Sequence, residues 1–201
     1  MDPVELLLHP VRLRIVHALS GGRSLTTQQL CERIADASKA TVYRHVALLA
    51  EAGILEESGQ QRVRGFVERH YRLQPARAAV TAERAAAATA DDHRRAFAAS
   101  MAALLAEFQA YLDDPAADPA ADQVGYRQHA VWLTAAERER LIAGMRAAIL
   151  PIIANGPAPG RAQHLLSPIL FPLDLPADLP ADLPADLPAD FPADAPVADE
   201  P

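Results

Sequence analysis

The sequence predicts a mainly α-helical chain with a small β component, and three observations carry that prediction. Apolar residues make up 50% of the 201 residues but aromatics only 5%, a balance that suits helices rich in Ala and Leu rather than an aromatic-rich sandwich. Apolar positions recur at helical spacing through most of the chain. Strict alternation is confined to one short stretch, Val67, Arg69, Tyr71, Leu73. The length allows one domain or two small ones.

The elements follow in chain order. Asp2, Pro3 and Glu5 supply a cap, a first-turn proline and a first-turn acid. Val4, Leu7, Leu8, Val11, Ile15 and Leu19 continue as one apolar stripe, so the first helix is expected to run unbroken to Gly21-Gly22. Thr26 or Thr27 caps a short second helix that turns Leu30 and Ile34 inward. Ser38 caps a third, residues 38–52, with Val42, Val46 and Leu49 on one face and Gly53 as its stop. Ile54-Leu55, a polar turn at Ser58 to Gln61, and Val67 to Leu73 then read as a β-hairpin.

From Arg77 to Leu112 the chain is Ala-rich and forms one long helix or two, because Thr89 with Asp92 three residues on is a capping box for a fresh start. Asp113 to Asp122, with two prolines and four aspartates, is a loop. Gly125 to Leu133 is expected as a strand, and Arg161 to Phe171 as a second strand or coil. Between them Thr134 and Glu137 cap a helix carrying Leu141, Met145, Ala148 and Ile152, which Pro151 should kink or end. These segments would make a small C-terminal α/β unit. From Leu175 onward Leu-Pro-Ala-Asp repeats place a proline at every fourth residue, incompatible with helix and poor in apolar surface, so residues 172–201 are expected as a disordered tail.

Charge is distributed unevenly. The formal net charge of −7 argues against a nucleic-acid partner when taken as an average. Residues 1–73, however, hold 10 Lys/Arg and 8 Asp/Glu, whereas residues 172–201 hold 8 acids and no base. One cysteine, Cys31, cannot form an intramolecular disulfide or a thiolate cluster. Acidic residues at the N-terminus and the lack of a long apolar run lead to the expectation of a cytoplasmic protein without membrane association.

Three helices followed by a hairpin is the order of a winged helix-turn-helix. The runs LLLHPVRLRIVHALS (6–20), SKATVYRHVALLAEAGIL (38–55) and VERHYRL (67–73) resemble the first helix, recognition helix and second wing strand of ArsR-like transcriptional regulators, with MarR-like relatives close behind. The resemblance covers about residues 4–75. GYRQHAVWLTAAERERL (125–141) and PAPGR (157–161) are similar to the C-terminal half of actinobacterial regulators of this kind. The implied organisation is a DNA-binding domain at 1–75, a helical dimerisation and effector region at 76–171, and the tail.

With Val42, Val46 and Leu49 inward, Ala40, Thr41 and Arg44 point outward, flanked by Lys39 and Tyr43 with Ser38 at the helix start. Arg44 suits guanine or phosphate, Lys39 and Tyr43 suit phosphate, and Thr41 suits a base edge. Arg62 and Arg64, at or near the hairpin tip, could reach the adjacent backbone or minor groove. The partner called for is double-stranded DNA, with the recognition helix in the major groove. A single winged helix covers half a palindromic site, so a homodimer is expected, joined through the seam Phe97, Met101, Leu104, Phe108 and Leu112. Tyr126, Trp132, Met145, Leu165 and Phe171 have two readings, an apolar pocket for a small-molecule effector or the core of the C-terminal unit. The competing function is a winged-helix module that binds protein rather than DNA. No catalytic signature, cofactor motif or metal-ligand spacing is found, the seven histidines being scattered along the chain.

Overall fold

The computed structural model describes residues 3–63, 66–78 and 82–173. It separates the chain into a unit of residues 1–164 and a second of 165–201. The fold is mainly helical, with one three-stranded antiparallel sheet near the N-terminus.

The expected first helix is two: α1, Pro3–Leu7, and α2, Pro10–Leu19. Pro10 is the reason. It pushes His9 into an extended conformation (φ −143°, ψ 127°), and the His9 ring then caps α2, Nδ1 accepting from the Val11 amide at 3.2 Å. The cap expected at Asp2 lies outside the described residues. A 3-10 turn, Ser20–Gly22, passes through Gly21 at φ +72° and leads into β1, Ser24–Thr26.

Thr26 caps α3, Thr27–Arg33, through a box with Gln29. Ser38 caps α4, Lys39–Glu51, its Oγ accepting from the Thr41 amide. At the far end Gly53 at φ +70° lets the Ile54 amide reach the Leu49 carbonyl at 2.9 Å and its own amide reach that of Ala50 at 3.0 Å, which closes the helix.

The hairpin is longer than its composition implied. β2, Leu55–Val63, pairs with β3, Phe66–Leu73, from Leu55 opposite Leu73 to Val63 opposite Phe66. Ser58 to Gln61, expected as the turn, therefore lie within β2, where a bulge between Glu57 and Gly59 absorbs one residue. β1 joins the other edge of β3, Ser24 opposite Arg72, to give the order β1-β3-β2. Leu6, Ile15, Leu19, Leu30, Ile34, Val42, Val46, Leu49, Ile54 and Leu55 are buried together as the core.

Short helices α5, Pro75–Ala78, and α6, Ala82–Ala87, precede α7, Ala90–Leu112, which starts at the Thr89–Asp92 capping box. α7 packs on α2 through buried Ala99 and Ala103. Below that contact Arg14, 1% exposed, donates to both carboxylate oxygens of Asp36 at 2.7 Å, with Glu107 of α7 3.7 Å from its Nε.

The Thr134–Glu137 box starts α8, Ala135–Ile153, as expected, and the helix passes Pro151 and ends two residues later. Neither Gly125–Leu133 nor Arg161–Phe171 is a strand: no ladder partner for either exists among the described residues. A strand needs a neighbour to take its backbone hydrogen bonds, and an apolar segment alone supplies none. No residue of α8 is buried. The tail repeats lie outside the described residues, beginning at 174.

Candidate nucleic-acid interface

α4 is amphipathic in a way that settles which side chains leave the domain. Val42, Val46 and Leu49 anchor it on the core, and Lys39, Ala40, Tyr43, Arg44 and Ala47 are exposed. Thr41 is half-buried, and its hydroxyl shares a 2.8 Å hydrogen bond with Ser38 Oγ at the cap. The outward residues read from the spacing thus lie on one surface, and the helix start presents its first amides beside them. In the sheet, Arg62 is exposed opposite Val67 near the end of β2, while Arg64 lies outside the described residues. Ion pairs in this region tie Arg69 to Glu57 and Arg72 to Glu56. Lys39, Arg44 and Arg62 take part in none among the described residues.

Behind Arg44 sits a feature the spacing did not reveal. His45, 4% exposed, meets His9 with ring centroids 4.4 Å apart, and neither ring nitrogen of His45 has a hydrogen-bond partner among the described residues. Burial, then the neighbouring His9, Arg12 and Arg44, push its pKa down to about 4. His9 is lowered for the same reasons, burial first and then Arg12 and Arg44. Both rings are therefore neutral at pH 7. The proline at position 10 was the available signal, since it makes His9 a cap and brings it to the start of α2.

Cys31 is buried and its thiol is pushed up by burial, opposed by Lys39. In α7 the expected dimer seam is mixed: Phe97 and Leu112 are exposed, and Met101, Leu104 and Phe108 half-buried. Phe108 lies 6.1 Å from both Tyr111 and Tyr126. Tyr111 donates to Asp122 at 2.6 Å, which raises its pKa to about 12.

Of the residues read as a pocket lining or a C-terminal core, Tyr126 and Trp132 are 79% and 69% exposed, Phe171 and Leu165 are exposed, and Met145 is half-buried. Among the described residues no helix is long and apolar enough to cross a membrane.

Residues 7–58 match a known family described as a helix-turn-helix domain. The match begins in α1 and ends within β2, so it includes α3, the turn and α4. No curated protein matches the chain.

Proposed function

We propose that this chain is a sequence-specific double-stranded DNA-binding transcriptional regulator of ArsR-like type, acting in the cytoplasm as a homodimer. The observation that carries the proposal is the outer face of α4, where Lys39, Tyr43 and Arg44 project without ion pairs among the described residues from a helix fixed by a buried stripe and a serine cap. The helix-turn-helix match over residues 7–58 supports the same reading.

In the proposed complex α4 enters the major groove. Arg44 supplies two parallel N–H donors that fit guanine O6 and N7, or a phosphate. Lys39, Tyr43 and the Ser38 helix start hold the sugar-phosphate backbone, and Thr41 contributes its methyl group, its hydroxyl being shared with the cap. Arg62 and Arg64 extend the contact along the wing. Two copies, joined through the α7 seam at Phe97, Met101, Leu104, Phe108 and Leu112, would read half-sites one helical turn apart. In this division residues 1–75 bind DNA and residues 76–171 hold the dimer.

Selection of bound sequences from random duplex DNA tests the proposal. The expected product is a palindrome. On the selected duplex Arg44→Ala should lose roughly 1–3 kcal/mol of binding, and Lys39→Ala should reduce the salt slope by about one. Failure of the full chain to enrich any duplex overturns the reading. A monomer by ultracentrifugation at micromolar concentration removes the dimer from it.

A further inference from the structure

The segment following α8 runs back across the helix-turn-helix domain and is fixed there at two points. At the first, backbone meets backbone: a Cβ on Gly156 would come within 2.9 Å of the Gly21 carbonyl oxygen, and one on Gly21 within 3.1 Å of the Asn155 carbonyl oxygen. A side chain at Gly156 would force that backbone apart, and Gly21 also holds φ +72°. At the second, Gln163 inserts its amide. Its oxygen accepts from Arg23 Nη1 and Arg33 Nη2, both at 2.8 Å, and its nitrogen donates to the His17 carbonyl at 2.7 Å.

Two guanidinium groups converging on one oxygen is the arrangement that recognises carboxylates and phosphates, yet the oxygen here belongs to a neutral amide. Two carboxylates of this neighbourhood are already engaged. Asp36 is held by Arg14, and Glu107 lies 3.7 Å from Arg14 and 3.6 Å from His17. Arg33 is partly withdrawn from water and sits beside the like charge of Arg23, both of which disfavour its protonated form, with Glu107 opposing them. An anion at the amide-oxygen position would neutralise both cations.

We propose that Arg23 and Arg33 form a binding site for a small oxyanion, a carboxylate or phosphate, which Gln163 fills as an uncharged stand-in until the anion displaces it. The size limit comes from the surroundings: on one side Arg33 borders a groove that also carries Glu32, Asp36 and Asp113, whose charges repel an extended polyanion. Because Arg23 precedes β1, Arg33 ends α3 and neither belongs to α4, the proposal goes beyond the DNA-binding reading and is tested without DNA.

The full chain is titrated with inorganic phosphate and, separately, with acetate, at ionic strength held constant with chloride. The readouts are the NMR signals of the arginine Nε–H groups and the Gln163 side-chain amide. A saturable shift is expected with at least one probe, and which of the two saturates identifies phosphate or carboxylate as the ligand. Gln163→Ala, which removes the competitor, should tighten binding by roughly threefold or more. Gln163→Glu places a tethered carboxylate in the clasp and should weaken it on the order of tenfold or more. Gln163 is exposed, so both variants should fold. Shifts that stay linear in concentration, or an affinity that neither Gln163 variant changes, overturn the site.

Discussion

Acidification should destabilise this protein through one buried imidazole. His45 is neutral in the folded domain, with a pKa of about 4 against an ordinary value of 6.5. Above pH 6.5 the folded and unfolded chains both carry it uncharged, and its contribution to stability is fully present. As pH falls through 6.5 the unfolded chain takes up a proton that the folded chain refuses, and stability is lost until pH reaches about 4, where both forms are protonated. The full difference corresponds to about 3 kcal/mol, of which about 2 kcal/mol is gone by pH 5. His9 adds in the same direction, because a proton on Nδ1 would break its cap on the Val11 amide. Urea unfolding followed by circular dichroism at pH 7.5 and pH 5 measures the effect, and His45→Leu isolates it. The variant's stability relative to the parent should rise by about 2 kcal/mol between the two pH values. An unchanged difference would mean that His45 is hydrated or charged in solution, and the reasoning from burial would fail.

Two further perturbations test the packing around the site. Gly53→Ala keeps ordinary contact distances, since the new Cβ would lie 3.5 Å from the Arg77 side chain, so its cost is the left-handed backbone at φ +70°. That amounts to about 1–2 kcal/mol, read as a lower urea midpoint at unchanged slope; no shift would show that α4 does not end at this glycine in solution. Asp36→Asn leaves the Arg14 charge buried with only Glu107 at 3.7 Å. Asp36 itself is 61% exposed, which screens the pair, so the expected loss is about 1–2 kcal/mol rather than that of a fully buried ion pair. A loss that disappears when the ion pair is re-measured in Arg14→Met would confirm that Arg14 is the group served, and an equal loss in that background would refute it.

Local chemistry made the helix starts legible. Ser38, Thr89 with Asp92, and Thr134 with Glu137 each satisfy their own first-turn amides, and each marks a helix start in the structure. The outward face of α4 followed from that cap and three apolar residues. Pro10 was equally visible, but a continuous apolar stripe across it disguised the break between α1 and α2. β1 was missed because three residues, Ser24 to Thr26, carry no periodicity of their own and are a strand only through pairing with β3. The polar run Ser58 to Gln61 read as a turn because composition cannot distinguish a loop from an exposed strand face. The Gln163 clasp joins residues 130 or more apart and has no sequence signature.

The two halves of residues 1–164 differ in what their apolar side chains meet. From Leu6 to Leu55 the aliphatic residues are buried on one another, and the apolar spacing that predicted the helices is spent inside this chain. In α8 and the segment before it, Val131, Trp132, Leu150, Ile152 and Ile153 carry the same kind of side chain but remain exposed. Each such residue forgoes roughly 1.5–3 kcal/mol of burial, and an exposed set of this extent on a folded protein marks a surface that another molecule covers. The segment 125–133 also has no ladder partner among the described residues, so its backbone amides are available for the same contact. A second copy satisfies both needs without any further component, since an isologous interface sets a surface against its own duplicate. The dimer proposed through α7 is therefore expected to extend over α8 and the preceding segment.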